Sequence, residues 1–400
     1  MSASAAALRT IRASSSPTDN MGGAEEELKR MSFQECMELS RLPADGSSSN
    51  VQRFVSRQPA WKPGGEKVWG KLRKVDPRHT SGNSEKNVDP KGRRTFGPGA
   101  FGGHVYAQAP LAAAKVVQEE DQSTPEGSRL AIHSIQGVFS NPGLTDRPFV
   151  YEVSNVSSSR SFSTRLITAR QPSEPSSNPT GPFPTSDAEL PLGEVVFSCL
   201  TTFKRPVQGP AEVQDELSPQ KRFADILNSR APDEWEASPQ ADIDFVREMF
   251  PVKGHGDFPI LDMYKVDMTE FNKGKPLPER RQVILYRLHK PLPREDVNAH
   301  IVTHAYESDR NGLIMLGNHL GYGYNMGPVA SLTYAFYVHG NPEDAVMEGD
   351  GWWVQEVWWP RVSAGRGLQE TKIWSPEGKH VASGYQEGII MPAKSSKAKM

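Results

Sequence analysis

The chain has 400 residues, and its 46 basic residues nearly balance its 48 acidic residues, giving a formal net charge of -2. With so small a net charge, the chain has no overall electrostatic field that would attract nucleic acid or an anionic membrane. An anionic ligand therefore has to be held by local basic groups. The two cysteines, Cys36 and Cys199, lie far apart without metal-type spacing, which favours a reducing compartment over a disulfide scaffold. No run approaches the about 20 apolar residues of a membrane helix.

The N-terminal part of the chain is polar and rich in Ser and Ala. We predict a disordered or weakly ordered leader over residues 1–50. Its first residues carry Arg9 and Arg12 but no acidic residue, a composition that also resembles an organelle transit peptide. The first folded domain is predicted over 51–204, with a Ser- and Pro-rich inserted loop at 171–192.

The first domain contains one strong helical pattern followed by strand patterns. The helix is predicted over 101–117, opens with Gly102 and Gly103, and is expected to kink at Pro110. Alternating apolar residues predict strands at 131–139, at 149–156 continued by 162–169, and at 194–203.

A second domain repeats that order. After a linker at 205–258, the domain at 259–391 is predicted to be mainly helical over 296–320 and to form strands at 331–338, 352–357, 367–374 and 380–390. This order, one helix followed by antiparallel strands, occurs in both halves of the chain and predicts the α+β class. Each unit is expected to have a curved antiparallel sheet around a central helix.

Four ordered motifs support a family resemblance. They are FGGHVYAQA at 101–109, HSIQGVFSNPG at 133–143, RSFSTR at 160–165 and VASGYQEG at 381–388. In this order they resemble the landmarks of type II acyl-CoA thioesterases. The resemblance implies two tandem hot-dog domains and hydrolysis of fatty acyl-CoA to free fatty acid and CoA, with no metal and no organic cofactor.

Three residues of the second domain match the positions that this family uses for catalysis. The resemblance assigns the roles to Asp309 on the central helix, Ser331 on the next strand and Gln386 on the last strand. The chain departs from the family after Ser331, where the usual Asp-His pair is replaced by Leu332 and Thr333. This departure leaves the three side chains intact but bears on chain-length preference.

The chemistry of these side chains suits thioester hydrolysis. A carboxylate among apolar residues has a raised pKa and acts as a general base, which is the role expected for Asp309. Ser331 and Gln386 both donate and accept hydrogen bonds and are expected to orient the attacking water. Gly102 and Gly103, at the start of the first helix, are candidates for oxyanion-binding N–H groups; the alternative is tight helix–sheet packing.

Other constellations point to alternative functions. His300 and His304 have a spacing compatible with zinc, but HIVTH lacks the Glu of the metalloprotease motif, which favours two helix-face histidines. A hot-dog enoyl-CoA hydratase needs an Asp/His pair, and Asp309 lacks a His at near spacing. A non-catalytic acyl-CoA-binding protein is the third alternative.

The C-terminal residues 392–400 are predicted to be a targeting tail. Ala398, Lys399 and Met400 resemble the tripeptide read by the peroxisomal import receptor, which predicts the peroxisomal matrix; mitochondrial and cytoplasmic locations are the alternatives. Acyl-CoA is the expected substrate, with no nucleic acid partner and no membrane span. The family resemblance also allows a homo-oligomer.

Overall fold

The computed structural model describes residues 30–43, 51–62, 99–238, 254–310 and 312–393. Its helices are α1 Phe33–Cys36, α2 Gly102–Glu120, α3 Pro219–Arg222, α4 Ala224–Leu227, α5 Thr269–Asn272, α6 Val297–Ser308 and α7 Gly312–His319. Its strands are β1 Leu39–Arg41, β2 Val51–Ser56, β3 Ala131–Phe139, β4 Val150–Ser158, β5 Phe162–Arg170, β6 Phe197–Lys204, β7 Glu236–Ser238, β8 Leu261–Lys265, β9 Gln282–Leu288, β10 Met326–Val338, β11 Trp353–Ser363, β12 Arg366–Trp374 and β13 His380–Pro392.

The strands of the described residues form one 13-stranded sheet in the order β1-β2-β4-β5-β6-β3-β10-β13-β12-β11-β9-β8-β7. Every pairing is antiparallel, and β3 pairs with β10 at the centre, where the two repeats meet. The strand order β4-β5-β6-β3 in the first repeat corresponds to β11-β12-β13-β10 in the second. The predicted α+β fold of two hot-dog domains is therefore confirmed, and the two sheets are continuous.

Helix α2 lies against the inner face of the first repeat and packs on α6 of the second. Ala107, Ala109 and Ala112 are fully buried, and such small side chains combine high helix propensity with a close approach to the neighbouring helix. The helix ends three residues after its predicted end and continues through Pro110.

Several predicted strands match the structure, but β8 and β9 were missed. Strand β3 has the predicted bounds, whereas β10 begins at Met326, five residues before its predicted start. The run in β9, QVILYRL, is apolar at adjacent positions because both faces of this strand are covered. A strand buried on both faces lacks the alternation that identifies a strand in a sequence.

Part of the predicted leader is folded. Strand β1 pairs with β2, and Arg30 donates hydrogen bonds to the carbonyl oxygens of Phe258 and Leu261. The segment 30–43 therefore contacts both repeats, which a local sequence pattern does not reveal. Residues 1–29 and 44–50 lie outside the described residues.

Residues 205–238 of the predicted linker cover the outer face of the second repeat. Phe223 and Trp235 pack with apolar residues of β9 and β11, and Arg222 forms an ion pair with Glu356. The domain limits 51–204 and 259–391 stay predictions. In the described parts of the chain, no helix is both long and apolar enough to cross a membrane.

Candidate active site

The site begins at a break between two helices. Helix α6 ends at Ser308, Asp309 caps it, and α7 starts at Gly312. Side chains from β11 hold both sides of this break, because Gln355 Nε2 donates to the Ser308 carbonyl at 3.3 Å and Trp359 Nε1 to the Gly312 carbonyl at 3.1 Å. The region 296–320, predicted as mainly helical, is thus interrupted at Asp309, the candidate carboxylate. Hydrogen bonds from β11 support the backbone on both sides of this interruption.

A β-bulge brings Ser331 to the same place. In the pairing of β10 with β13, Ser331 is opposite Gly388 and Thr333 is opposite Glu387, so Leu332 is the extra residue. Side chains of a regular strand alternate between faces, and a bulge re-aims them. Ser331 and Tyr334, three residues apart, therefore both reach the inner face, where Ser331 Oγ hydrogen-bonds to the carboxylate of Asp309.

Gln386 joins the other two candidate residues. Its Nε2 donates to Asp309 Oδ1 at 2.5 Å and to Ser331 Oγ at 2.6 Å. Among the described residues, its buried Oε1 has no hydrogen-bond donor, so this atom is available to accept a hydrogen bond from a water. The structure thus brings Asp309, Ser331 and Gln386 together, although they are far apart in the sequence.

The two glycines of the first repeat close the site from the opposite side. The backbone N–H of Gly103 donates to the Asp309 carboxylate, and a Cβ added at Gly102 would lie 3.0 Å from Asp309 Oδ2. Because backbone N–H groups at a helix N-terminus favour negative charge, the start of α2 stabilises the ionised carboxylate. The Gly103 N–H is therefore already paired, and the structure gives it a carboxylate partner rather than an open oxyanion site.

Burial controls the protonation of Asp309. Asp309 is only 9% exposed. Burial raises the pKa of its carboxyl from 3.8 to about 7, although four groups act to lower that pKa: the Gly103 N–H, Gln386, Arg310 and Ser331. The Arg310 guanidinium is itself buried and lies 4.9 Å from the centre of the Trp61 ring. A carboxyl with a pKa near neutral pH is suited to act as a general base.

Two supporting residues were not identified from the sequence. Tyr334 donates its hydroxyl hydrogen to Ser308 Oγ at 2.6 Å and is opposite Gln386 in the sheet. On the other side of β13, Gln369 of β12 is opposite Gln386, and its side-chain amide donates to Thr371 Oγ1 at 3.0 Å. Both polar side chains occupy inward positions of strands, a signal that becomes readable only when the register is known.

The two candidate zinc ligands have other partners. His304 accepts from the Tyr286 hydroxyl at 2.7 Å through Nδ1 and donates to the Ala345 carbonyl at 2.8 Å through Nε2. Burial lowers the pKa of His304 to about 3, which keeps the ring neutral. Within the described ranges, no cluster of three or more His, Cys, Asp or Glu residues has a metal-binding arrangement.

Models of two domains match the two halves of this chain. The acyl-CoA thioesterase N-terminal domain matches residues 90–181, and the acyl-CoA thioesterase C-terminal domain matches residues 227–390. The chain belongs to the acyl-CoA thioesterase family. It is a thioester hydrolase, and the matched C-terminal domain includes all three clustered residues, whereas the N-terminal domain includes Gly102 and Gly103.

Relatives of this acyl-CoA thioesterase are distant. The chain is 24% identical to mouse acyl-coenzyme A thioesterase 8 over 293 residues, covering 72% of this chain and 79% of the mouse protein. It is 24% identical to the human protein of that name over 303 residues, covering 72% and 80%.

Solved structures show the same fold. Acyl-CoA thioesterase II TesB2 from Mycobacterium marinum superposes with a TM-score of 0.52 at 22% identity, covering 91% of this chain and 99% of that chain. The tesB protein of Mycobacterium avium subs paratuberculosis superposes with a TM-score of 0.53 at 17% identity, covering 90% and 98%.

Proposed function

We propose that this acyl-CoA thioesterase hydrolyses its substrate with a water activated by Asp309. The observation that carries the proposal is the Gln386 amide, which hydrogen-bonds to both Asp309 and Ser331. A water bound to the Asp309 carboxylate and to Gln386 Oε1 loses a proton to Asp309 as its oxygen attacks the thioester carbon. The carbon–sulfur bond then breaks, and the CoA thiolate takes up a proton, which leaves free acid and CoA.

Ser331 and Gln386 serve this step by orientation. Each has a hydrogen bond to the carboxylate, so their dipoles hold the carboxylate in place. Positioning a reactant in advance removes part of the entropic barrier. We assign no oxyanion donor, because the Gly103 N–H pairs with Asp309 in this structure. Gly102 and Gly103 are proposed to position the base.

A fatty acyl chain is the proposed acyl group. The Phe139 ring lies 3.4 Å from the position of a Cβ added at Gly102, so an apolar wall adjoins the carboxylate. Apolar walls beside a few polar groups are typical of sites that bind apolar ligands. The relatives named acyl-coenzyme A thioesterase 8 support an acyl-CoA substrate.

Release of the CoA thiol from a series of saturated acyl-CoAs tests this proposal. We expect the wild-type chain to release thiol and Asp309→Asn to lose at least about 100-fold in kcat, since general-base action contributes about 10²–10⁴ in rate. Asp296→Asn is the matched control at the other end of α6, where Asn also caps a helix. An Asp309→Asn rate equal to that of Asp296→Asn would remove Asp309 from the mechanism.

Location in the peroxisomal matrix also stays a proposal. It depends on Ala398, Lys399 and Met400, which lie outside the described residues. A fluorescent protein fused in front of this chain should enter peroxisomes and lose that location when Lys399 is replaced by Glu. Retention of the peroxisomal signal in Lys399→Glu would contradict recognition of this tripeptide by the import receptor.

A further inference from the structure

Trp61 lies where the start of α2 meets the second half of the chain. Its backbone carbonyl accepts a hydrogen bond from the Phe101 N–H at 2.9 Å, directly before α2. Its indole N–H donates to Asp257 Oδ1 at 3.1 Å. Trp61 is 7% exposed and precedes both matched family domains, which begin at residues 90 and 227. It therefore joins the two repeats beside the candidate active site, although it belongs to neither matched domain.

The Trp61 ring packs against Arg310, the residue that follows Asp309. The guanidinium carbon of Arg310 is 4.9 Å from the ring centre, within the range of cation–π attraction. Arg310 is only 1% exposed, so the attraction acts on a desolvated cation, for which it is strongest. The ring therefore opposes movement of the guanidinium away from its buried position.

Other aromatic side chains surround the Trp61 ring. Phe101 and Phe258 meet it edge to face, with ring centres 5.7 and 4.9 Å from its own. The buried Tyr306 meets Phe101 in the same way at 5.0 Å. These rings leave the indole little room to turn. They also exclude water, and opposite charges attract each other more strongly in such surroundings than in solvent.

We propose that Trp61 is a positioning residue of the hydrolysis, whose ring holds the Arg310 guanidinium beside the Asp309 carboxylate. The inference rests on the proposed role of Asp309 as general base. A nearby cation favours the ionised form of a carboxylate, which is the form that accepts a proton from water. Burial raises the pKa of Asp309 to about 7, and Arg310 is one of the groups that act to lower it. Trp61 thus acts on the base through Arg310 and does not itself contact the reacting atoms.

Other titratable and charged groups surround Asp309 and Arg310. They are Arg30 and Cys36 of the N-terminal segment, Tyr106 of α2, Asp257 before β8, Tyr306 and Glu307 of α6, and Tyr334 of β10. Burial raises the pKa of Cys36 to about 12 and those of the three tyrosines well above 10, so these four groups are uncharged near neutral pH. Burial also raises the pKa of Glu307 well above 4.5. Of the two cations, Arg30 pairs with Asp262, whereas Arg310 acts on the Asp309 carboxyl.

The pH dependence of kcat/KM tests this role in the full chain, with thiol release from the most active member of the saturated acyl-CoA series. The wild type should lose activity below about pH 7, as Asp309 takes up its proton. Arg310→Gln should move the midpoint of this decrease up by at least about one pH unit, because a nearby opposite charge lowers the pKa of a carboxyl by about 1–3. Arg310→Lys keeps the charge and should have a midpoint closer to that of the wild type. Trp61→Leu should move the midpoint up by at least about 0.5 pH unit, since the guanidinium loses the ring that holds it.

A double variant shows whether Trp61 acts through Arg310. With Arg310→Gln and Trp61→Leu combined, the midpoint should equal that of Arg310→Gln alone, because the ring has no cation left to hold. Trp358→Leu is the matched control: Arg281 lies at the same 4.9 Å from the Trp358 ring centre, but this pair is outside the candidate active site. We expect Trp358→Leu to keep the wild-type midpoint.

Two results would overturn the role of Trp61. One is a folded Trp61→Leu variant with the wild-type midpoint; the other is a double variant in which the two single changes add in full. If Trp61→Leu fails to fold, tryptophan with increasing numbers of ring fluorines at position 61 decides the question, because fluorine weakens the cation–π attraction while nearly keeping the size of the ring. The midpoint should then rise with each fluorine, and a constant midpoint would contradict the proposal.

Failure of this inference differs from failure of the proposed function. A wild-type profile without a decrease below pH 7, or an Asp309→Asn variant as active as the wild type, would overturn Asp309 as the base and this inference with it. A wild-type decrease that neither Arg310→Gln nor Trp61→Leu moves would overturn only the positioning role of Trp61.

Discussion

Burial and hydrogen bonding act in opposite directions on Asp309. Four groups favour its ionised form, yet burial prevails and raises its pKa from 3.8 to about 7. The proton is therefore exchanged near neutral pH, and the base can be regenerated in each turnover. Ser331 and Gln386 do not supply charge; in the proposed mechanism they fix the direction of the carboxylate and of the water.

Ser331 provides a test that separates its hydroxyl from its shape. Ser331→Ala removes the hydrogen bonds to Asp309 and Gln386, and we expect kcat to fall about 10- to 100-fold with little change in KM. Ser331→Thr keeps the hydroxyl and should retain most of the activity. Equal loss in both variants would show that packing at this position, rather than the hydroxyl, matters.

The raised pKa of Asp309 also predicts an effect on stability. A carboxyl whose pKa is higher in the folded than in the unfolded chain stabilises the fold below about pH 4, and this contribution is lost as the pH rises through about 7. Asp309→Asn should therefore raise Tm relative to the wild type at pH 8 and much less at pH 5. Calorimetry at both pH values checks this, and a Tm difference independent of pH would contradict the assigned pKa.

At the scale of elements, the start of α2 is fitted closely to the end of α6. A Cβ added at Gly103 would lie 2.5 Å from the Phe101 ring and 2.8 Å from the Tyr306 carbonyl oxygen. Because the Gly103 N–H also binds Asp309, separating these two helices displaces the carboxylate as well. The two repeats thus share one site through their central helices.

Gly103→Ala tests this close contact. We expect at least about a 10-fold loss of kcat and a lower Tm, because the added methyl group clashes with backbone and ring atoms that have little freedom to move. Gly127→Ala is the control, since a Cβ there meets nothing within 4 Å. Wild-type kinetics for Gly103→Ala would mean that α2 does not position Asp309.

The sequence identified elements with strong local signals and missed those set by distant partners. Helix α2 was predictable from its Ala-rich run, and β3 from its alternation. The bulge at Leu332 and the stop of α6 at Ser308 depend on register with β13 and on hydrogen bonds from β11, neither of which appears in a local pattern. The three catalytic candidates came from family motifs, whereas Tyr334 and Gln369 became evident only in the folded chain.

At the scale of the whole molecule, the segment 30–43 links the two repeats through hydrogen bonds and strand pairing. Arg30 Nε donates to the Phe258 carbonyl at 2.7 Å and Nη1 to Asp262 Oδ1 at 2.7 Å, while β1 extends the sheet of the first repeat. Trp61 Nε1 donates to Asp257 at 3.1 Å and makes a second link between the repeats. The second link lies near Arg310, whose guanidinium carbon is 4.9 Å from the centre of the Trp61 ring.

Removing the Arg30 side chain should destabilise the molecule. We expect Arg30→Ala to lower the free energy of unfolding by about 2–4 kcal/mol, because buried acceptors lose a charged donor. Arg294→Ala, which breaks an exposed ion pair with Glu348, should change it by less than about 1 kcal/mol. Denaturant unfolding measures both free energies. Equal decreases in the two variants would contradict a role for Arg30 in linking the two repeats.

In the proposed mechanism, Asp309 activates water and does not itself attack the thioester. A single turnover in H₂¹⁸O, with enzyme in excess over acyl-CoA, distinguishes attack by water from an acyl–aspartate that is then hydrolysed at the Asp309 carbon. Water attack predicts that the first fatty acid released contains one ¹⁸O atom and that the protein contains none. An unlabelled fatty acid from the first turnover, with ¹⁸O in the peptide that includes Asp309, would instead show an acyl–aspartate intermediate and contradict this account.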